Sequence, residues 1–149
     1  HRRDSPLSVQ TALLEYICFK GLHMATVLII DDEPAIGDYL ARLINRMGHL
    51  AQTAQTAADA FAKIDASSFN LVIADIRLPD APDALQWIRD IAGKCAGVPL
   101  VLISGAPSSE LDECAKANGV LAFLSKPFEL TFIRNILQKV CDGENKAGD

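Results

Sequence analysis

No apolar run in this chain of 149 residues approaches the ~18 residues that would suggest a membrane span; its uninterrupted apolar stretches, such as 27–30, are short. A cysteine pattern is missing too. Cys18, Cys95, Cys114 and Cys141 stand at wide, unrelated spacings, with no CxxC pair and no histidine at zinc-ligand spacing. They read as small buried apolar residues in a reducing, cytoplasmic compartment. A basic surface is absent as well: 14 Lys and Arg stand against 19 Asp and Glu, a net charge of −5 without basic clusters, which disfavours direct nucleic-acid binding. Neither an internal repeat nor a low-complexity segment is visible.

What is present is the composition of one ordinary soluble domain, 50% apolar and 22% charged. The length is too short for two full cores but sufficient to fold without disulfides or structural metal. Residues 1–23 differ in character from the rest of the chain. His1, Arg2 and Arg3, and then Gly21, Leu22 and His23 just before Met24, read as a tag- or vector-derived leader. Residues 143–149 are polar and read as a flexible tail, which leaves a domain over 24–142.

Within that domain short apolar runs alternate five times with longer amphipathic stretches, the pattern of a parallel sheet with helices on both faces. The strands are expected at 26–30, 49–53, 70–74, 98–103 and 120–124. The first, third and fourth are almost continuously apolar and belong at the sheet centre; the second is more polar and belongs at an edge. Ile36, Leu40, Leu43 and Met47 share one helical stripe, as do Ile133, Ile136, Leu137 and Val140. Pro34 suits a first helical turn, Thr56 precedes Asp59 at capping-box spacing, and Gly48 and Asn118-Gly119 sit where helices end.

Open parallel sheets bind ligands at the carboxyl ends of their strands, where strand order reverses. Here the first strand ends in Asp31 and Asp32, the third in Asp75, the fourth in Ser104, and the fifth in Ser125 and Lys126. Three carboxylates converging on one spot repel, since like charges ~4 Å apart cost about 4 kcal/mol at an effective dielectric near 20. A hard dication such as Mg²⁺, which takes a few carboxylates plus water and phosphate oxygens, relieves this. Lys126 can then offset phosphoryl charge, Ser104 can donate to a phosphoryl oxygen, and a carboxylate is a competent phosphoryl nucleophile. Asp75, after the central strand, is the candidate for that role.

These residues carry a resemblance, over 24–142, to the receiver domain of two-component response regulators. Val-Leu-Ile-Ile-Asp-Asp-Glu-Pro at 27–34 resembles the family's opening strand and acidic pair, and Leu-Val-Ile-Ala-Asp at 71–75 its phosphoacceptor strand. Leu78, Pro79 and Asp80 resemble the loop after that strand; Val-Leu-Ile-Ser-Gly-Ala at 101–106 resembles the switch hydroxyl segment; Phe-Leu-Ser-Lys-Pro-Phe at 123–128 resembles the terminal lysine motif. The resemblance implies a doubly wound, five-stranded α/β fold of order 2-1-3-4-5, flavodoxin-like, and a cis peptide at Lys126-Pro127. It implies phosphoryl transfer to Asp75 from a histidine kinase or histidine phosphotransfer protein in phosphorelay signalling, by a signalling domain rather than an enzyme. By position, Asp32 would ligate Mg²⁺ directly, Asp31 mainly through water, and Arg77 through its backbone carbonyl, alongside Asp75. Lys126 would bind the phosphoryl group, and Ser104 and Phe123 would switch the surface of the fourth helix, fifth strand and fifth helix. The output would be a downstream protein partner or an effector domain lying outside this sequence, and a homodimer through the fourth and fifth helices stays open.

Some positions depart from the family pattern. The stretch 81–84 carries an extra residue and lacks the usual Gly, so this loop is expected to differ. Arg77 and Ala106 occupy positions that help set how fast water reaches the acyl phosphate; Ala106 has no polar group to orient it, which suggests slow self-dephosphorylation. Glu33 reads as ordinary helix-start acidity, His49 as a strand-edge residue, and Trp87 as packing or a half-exposed surface aromatic. Two other functions compete: a degenerate receiver acting as an unphosphorylated binding module, and a haloacid dehalogenase-like phosphatase. The second wants an acid two residues after its nucleophile, where this chain has Arg77.

Overall fold

The computed structural model describes residues 24–146, with side chains through Asp142. Five strands, β1 (Thr26–Ile30), β2 (Leu50–Ala54), β3 (Leu71–Asp75), β4 (Leu100–Ser104) and β5 (Ala122–Ser125), pair in parallel in the order β2-β1-β3-β4-β5. Five helices connect and close them: α1 (Pro34–Arg46), α2 (Ala57–Ala66), α3 (Ala84–Lys94), α4 (Ser109–Ala117) and α5 (Leu130–Lys146). This is the doubly wound, flavodoxin-like order that the family resemblance implies. β2 takes an edge and β1, β3 and β4 the centre, as their polarity predicts. The leader reading at 1–23, with Cys18, lies outside the described residues; helix α5 occupies 143–146 of the stretch read as a tail.

Successive strand residues face opposite sides of the sheet, and that alternation divides the core in two. Leu28, Ile30, Val72, Ala74, Leu100 and Leu102 point into one buried layer, shared with α2, α3 and α4. Val27, Ile29, Leu71, Ile73, Val101 and Ile103 point into the other, shared with α1 and α5. Each such Val, Leu or Ile contributes about 1.5–3 kcal/mol by leaving water. Along α5 the buried stripe is Ile133, Ile136, Leu137 and Val140, as the periodicity predicts. Along α1 it narrows to Leu40 and Ile44, with Ile36 and Met47 packed at its margin.

Helix ends follow local chemistry. Pro34 opens α1, Thr56 Oγ1 accepts from Asp59 N at 3.0 Å, and Gly48 and Gly119 take φ of 93° and 76° just beyond α1 and α4. The Thr56 box is one-sided, because Asp59 turns instead to Lys63 at 3.1 Å. β4 begins two residues later than its apolar run, and β5 likewise. Val98 N donates to Cys95 O and Val120 N to Ala115 O, so both N–H groups close preceding turns rather than entering the ladder.

Candidate functional site

Three adjacent strands end in the same local device. Beyond β1, Asp31 Oδ1 accepts from Glu33 N at 2.9 Å; at the end of β3, Asp75 Oδ1 accepts from Arg77 N at 3.0 Å; at the end of β4, Ser104 Oγ accepts from Ala106 N at 3.0 Å. Each short polar side chain satisfies the N–H two residues on, so the chain turns sharply out of the sheet. For the two aspartates this commits Oδ1 to the turn and leaves Oδ2 for the site.

Lys126 takes up both of those oxygens. Its Nζ lies 2.7 Å from Asp75 Oδ2 and 3.5 Å from Asp31 Oδ2, with Glu33 Oε1 at 3.9 Å. Its backbone is placed by the fold, since Lys126 N donates to Ser104 O at 2.8 Å and the following peptide to Pro127 is cis. Asp31, Asp75 and Ser104 are buried and Asp32 is exposed. Burial pushes the Asp31 carboxyl above its ordinary range, and the Asp75 charge adds to this against the lowering pull of the Glu33 N–H and of Lys126. Burial also opposes the charge on Lys126, but Asp75 and then Asp31 outweigh it and hold the ammonium above its usual range.

One oxygen from each of Asp31, Asp32 and Asp75 fits within a 4.8 Å cluster. Hard carboxylate oxygens, surplus negative charge and the raised Asp31 are the donor chemistry that suits Mg²⁺. A cavity of about 530 Å³ opens beside them, lined by Asp32, Arg77, Ser104 and Ala106 among others.

Asp31, Asp32, Asp75 and Lys126 thus come together, and Ser104 and Arg77 line the adjoining cavity with Asp32. Phe123 stands apart on β5, half-buried and packed against the core layer of α2–α4. Three residues have closer ties than their sequence reading. Glu33 borders the Lys126 ammonium, and His49 Nδ1 accepts from Ala25 N at 3.0 Å. Of the two readings of Trp87, packing holds and surface exposure does not: it is 1% exposed within the core, and its Nε1 also donates to Asp75 O at 3.0 Å. Asp80, read only as part of a loop motif, accepts from Ala57 N at 2.8 Å and Ala58 N at 3.0 Å, tying the β3–α3 loop to α2. In that loop Ala81 N closes a turn on Leu78 O at 3.1 Å, and Asp83 caps α3 through Gln86 N at 3.2 Å.

The family model of the response regulator receiver domain matches residues 27–138. The nitrogen assimilation regulatory protein NtrX of Azorhizobium caulinodans is 37% identical over 103 residues, covering 68% of this chain and 23% of that protein. Protein PetR of Rhodobacter capsulatus is 33% identical over 118 residues, covering 76% of this chain and 49% of that one. The chain therefore spans well under two thirds of these relatives. Among solved structures, a CheY-like receiver domain protein of Methanospirillum hungatei superposes with a TM-score of 0.74 at 26% identity, over 83% of this chain and 99% of that one. No helix among the described residues is long and apolar enough to cross a membrane. With its strand order, its acidic cluster facing a lysine and a family match over most of its length, the chain belongs to the response regulator receiver domain family.

Proposed function

We propose that Asp75 accepts a phosphoryl group from a phosphohistidine of a sensor histidine kinase or histidine phosphotransfer protein. The observation that carries this reading is Asp75 itself: it ends the central strand with Oδ2 on the Lys126 ammonium at 2.7 Å, beside an open cavity. A carboxylate oxygen attacks phosphorus, the P–O bond forms as the donor's P–N bond breaks, and the departing imidazole takes up a proton. Lys126 is placed to neutralise the phosphoryl oxygens, and the Ser104 hydroxyl to donate to one of them. The oxygens of Asp31, Asp32 and Asp75, with the Arg77 carbonyl, would hold Mg²⁺. When bound, the cation supplies positive charge that offsets the carboxylates and the incoming phosphoryl group.

Phosphoryl oxygens that pull on Ser104 and Lys126 favour one of two packings of the segment carrying Ser104 and Phe123. The surface so altered is that of α4, β5 and α5, presented in the cytoplasm to a downstream protein or to a further domain. The receiver unit in this reading is 24–142. A phosphatase is disfavoured because Arg77, an exposed cation, stands where a leaving-group acid is wanted.

Incubation with acetyl phosphate and Mg²⁺, followed by mass spectrometry of the intact protein, tests the reading. The expected result is a gain of one phosphoryl group that Asp75→Asn abolishes. Multiple-turnover phosphate release would favour the phosphatase, and an unchanged mass the unphosphorylated module.

A further inference from the structure

Trp87 is the only tryptophan in the chain, and nothing in the chemistry above uses it. It sits one turn into α3, with its backbone N–H on Asp83 O at 2.9 Å. Its ring lies 5.8 Å from that of Phe61, tilted by 43°, inside the core layer under α2 and α3. An indole N–H buried without an acceptor is costly, so its direction is dictated by the acceptor it finds. That acceptor is the main-chain carbonyl of Asp75, at 3.0 Å.

The carbonyl of Asp75 and the N–H of Ile76 belong to one planar peptide unit. Ile76 N donates to Ile103 O at 3.0 Å. The unit is therefore pinned at both polar ends, by α3 through the indole and by β4 through the ladder. The next N–H, that of Arg77, holds Asp75 Oδ1 at 3.0 Å. Any rotation of the pinned unit would carry the Arg77 N–H with it and re-aim the carboxylate.

We propose that Trp87 is a positioning residue for phosphoryl transfer, its indole N–H fixing the peptide that orients the Asp75 carboxylate through the Arg77 N–H. The inference rests on the reading of Asp75 as phosphoacceptor and adds to it a residue from a different helix. A bulky apolar side chain at position 87 would fill the same space; only an N–H donor reaches the carbonyl.

The test removes the donor while keeping the volume. Because the chain has one tryptophan, biosynthetic replacement by 3-benzothienylalanine, with sulfur in place of the N–H, alters this site alone. Acetyl phosphate labelling should slow by about fivefold, the scale of one neutral hydrogen bond, and Mg²⁺ affinity of the unphosphorylated protein by calorimetry should weaken by a similar factor. Trp87→Phe should repeat both changes, with any loss of folding monitored by its melting temperature. In the unsubstituted protein the indole proton should resist solvent exchange and shift on addition of Mg²⁺. Labelling rate and Mg²⁺ affinity that are unchanged in the benzothienyl protein overturn the inference and leave the Asp75 reading standing. A freely exchanging indole proton overturns it as well, whereas an unsubstituted protein that accepts no phosphoryl group overturns both.

Discussion

The Lys126 ammonium reaches Asp75 Oδ2 at 2.7 Å across 51 positions of sequence, and that one contact joins the end of β5 to the end of β3. Both aspartates beside it are buried, so Lys126 is the counter-charge that makes their proximity tolerable. Lys126→Met keeps the stem and removes the charge. Breaking a fully buried pair costs about 3–5 kcal/mol. Here about 2 kcal/mol is expected, because a quarter of the Lys126 side chain meets water and screens the pair. Thermal unfolding in EDTA should show the loss, and Mg²⁺ should raise the melting temperature of the variant more than that of the wild type.

Asp31→Asn works in the opposite direction. The amide oxygen still accepts the Glu33 N–H, while the charge that burial and Asp75 both disfavour is gone. Two bare like charges ~4 Å apart repel by about 4 kcal/mol at an effective dielectric near 20, but the attraction between Asp31 and Lys126 is lost as well. A net stabilisation of order 1 kcal/mol is expected without metal. The same variant should bind Mg²⁺ more weakly. A lower melting temperature in EDTA than wild type would refute the argument.

The sheet and the acidic cluster were legible because each rests on a short-range pattern. The runs 27–30 and 71–74 are apolar without alternation since both faces are covered, and the acids come directly after them. Lys126 was legible only in company, as part of a motif whose members meet at the sheet edge. The strand starts at 98 and 120 were misplaced because apolarity reports burial, not hydrogen bonding: Val98 and Val120 pack on the core while their N–H groups close turns. Trp87 and Asp80 were illegible for a different reason. Their partners are backbone atoms, the Asp75 carbonyl and the Ala57 and Ala58 N–H groups, and a backbone acceptor or donor leaves no trace in residue identity.

Asp80 provides a test of the second of those contacts. Two N–H groups at the start of α2 have no partner within the helix, and Asp80 supplies both from another loop. These bonds, first from Ala57 and then from Ala58, hold its carboxyl below the ordinary range. A lowered folded-state pKa means stability present above the unfolded value near 3.8 and lost as pH falls through the folded one. Asp80→Ala should therefore cost about 1 kcal/mol at neutral pH, as loss of a helix cap does. Melting curves of wild type and variant should converge on acidification below 3.8, and a pH-independent gap would count against the carboxylate as cap.

The cavity wall beside Asp75 bears on how long a phosphoryl group survives there. Attack by water on an acyl phosphate needs a water held and polarised in line with the P–O bond. Ala106 presents a methyl group, its N–H already committed to Ser104 Oγ at 3.0 Å, and the exposed Arg77 side chain stands over the cavity as a donor without acceptor capacity. Neither side chain can accept a hydrogen bond from water and so orient it. With Asp75 as the proposed phosphoacceptor, the expected outcome is slow self-dephosphorylation, with a lifetime of minutes or longer once acetyl phosphate is removed. Ala106→Asn or Arg77→Asn introduces an amide that can orient water and should shorten that lifetime by about tenfold, less than the ~100-fold of a true general base because an amide accepts a hydrogen bond but takes up no proton. Decay of the phosphorylated mass after desalting measures it, and a wild-type lifetime of seconds would refute the account.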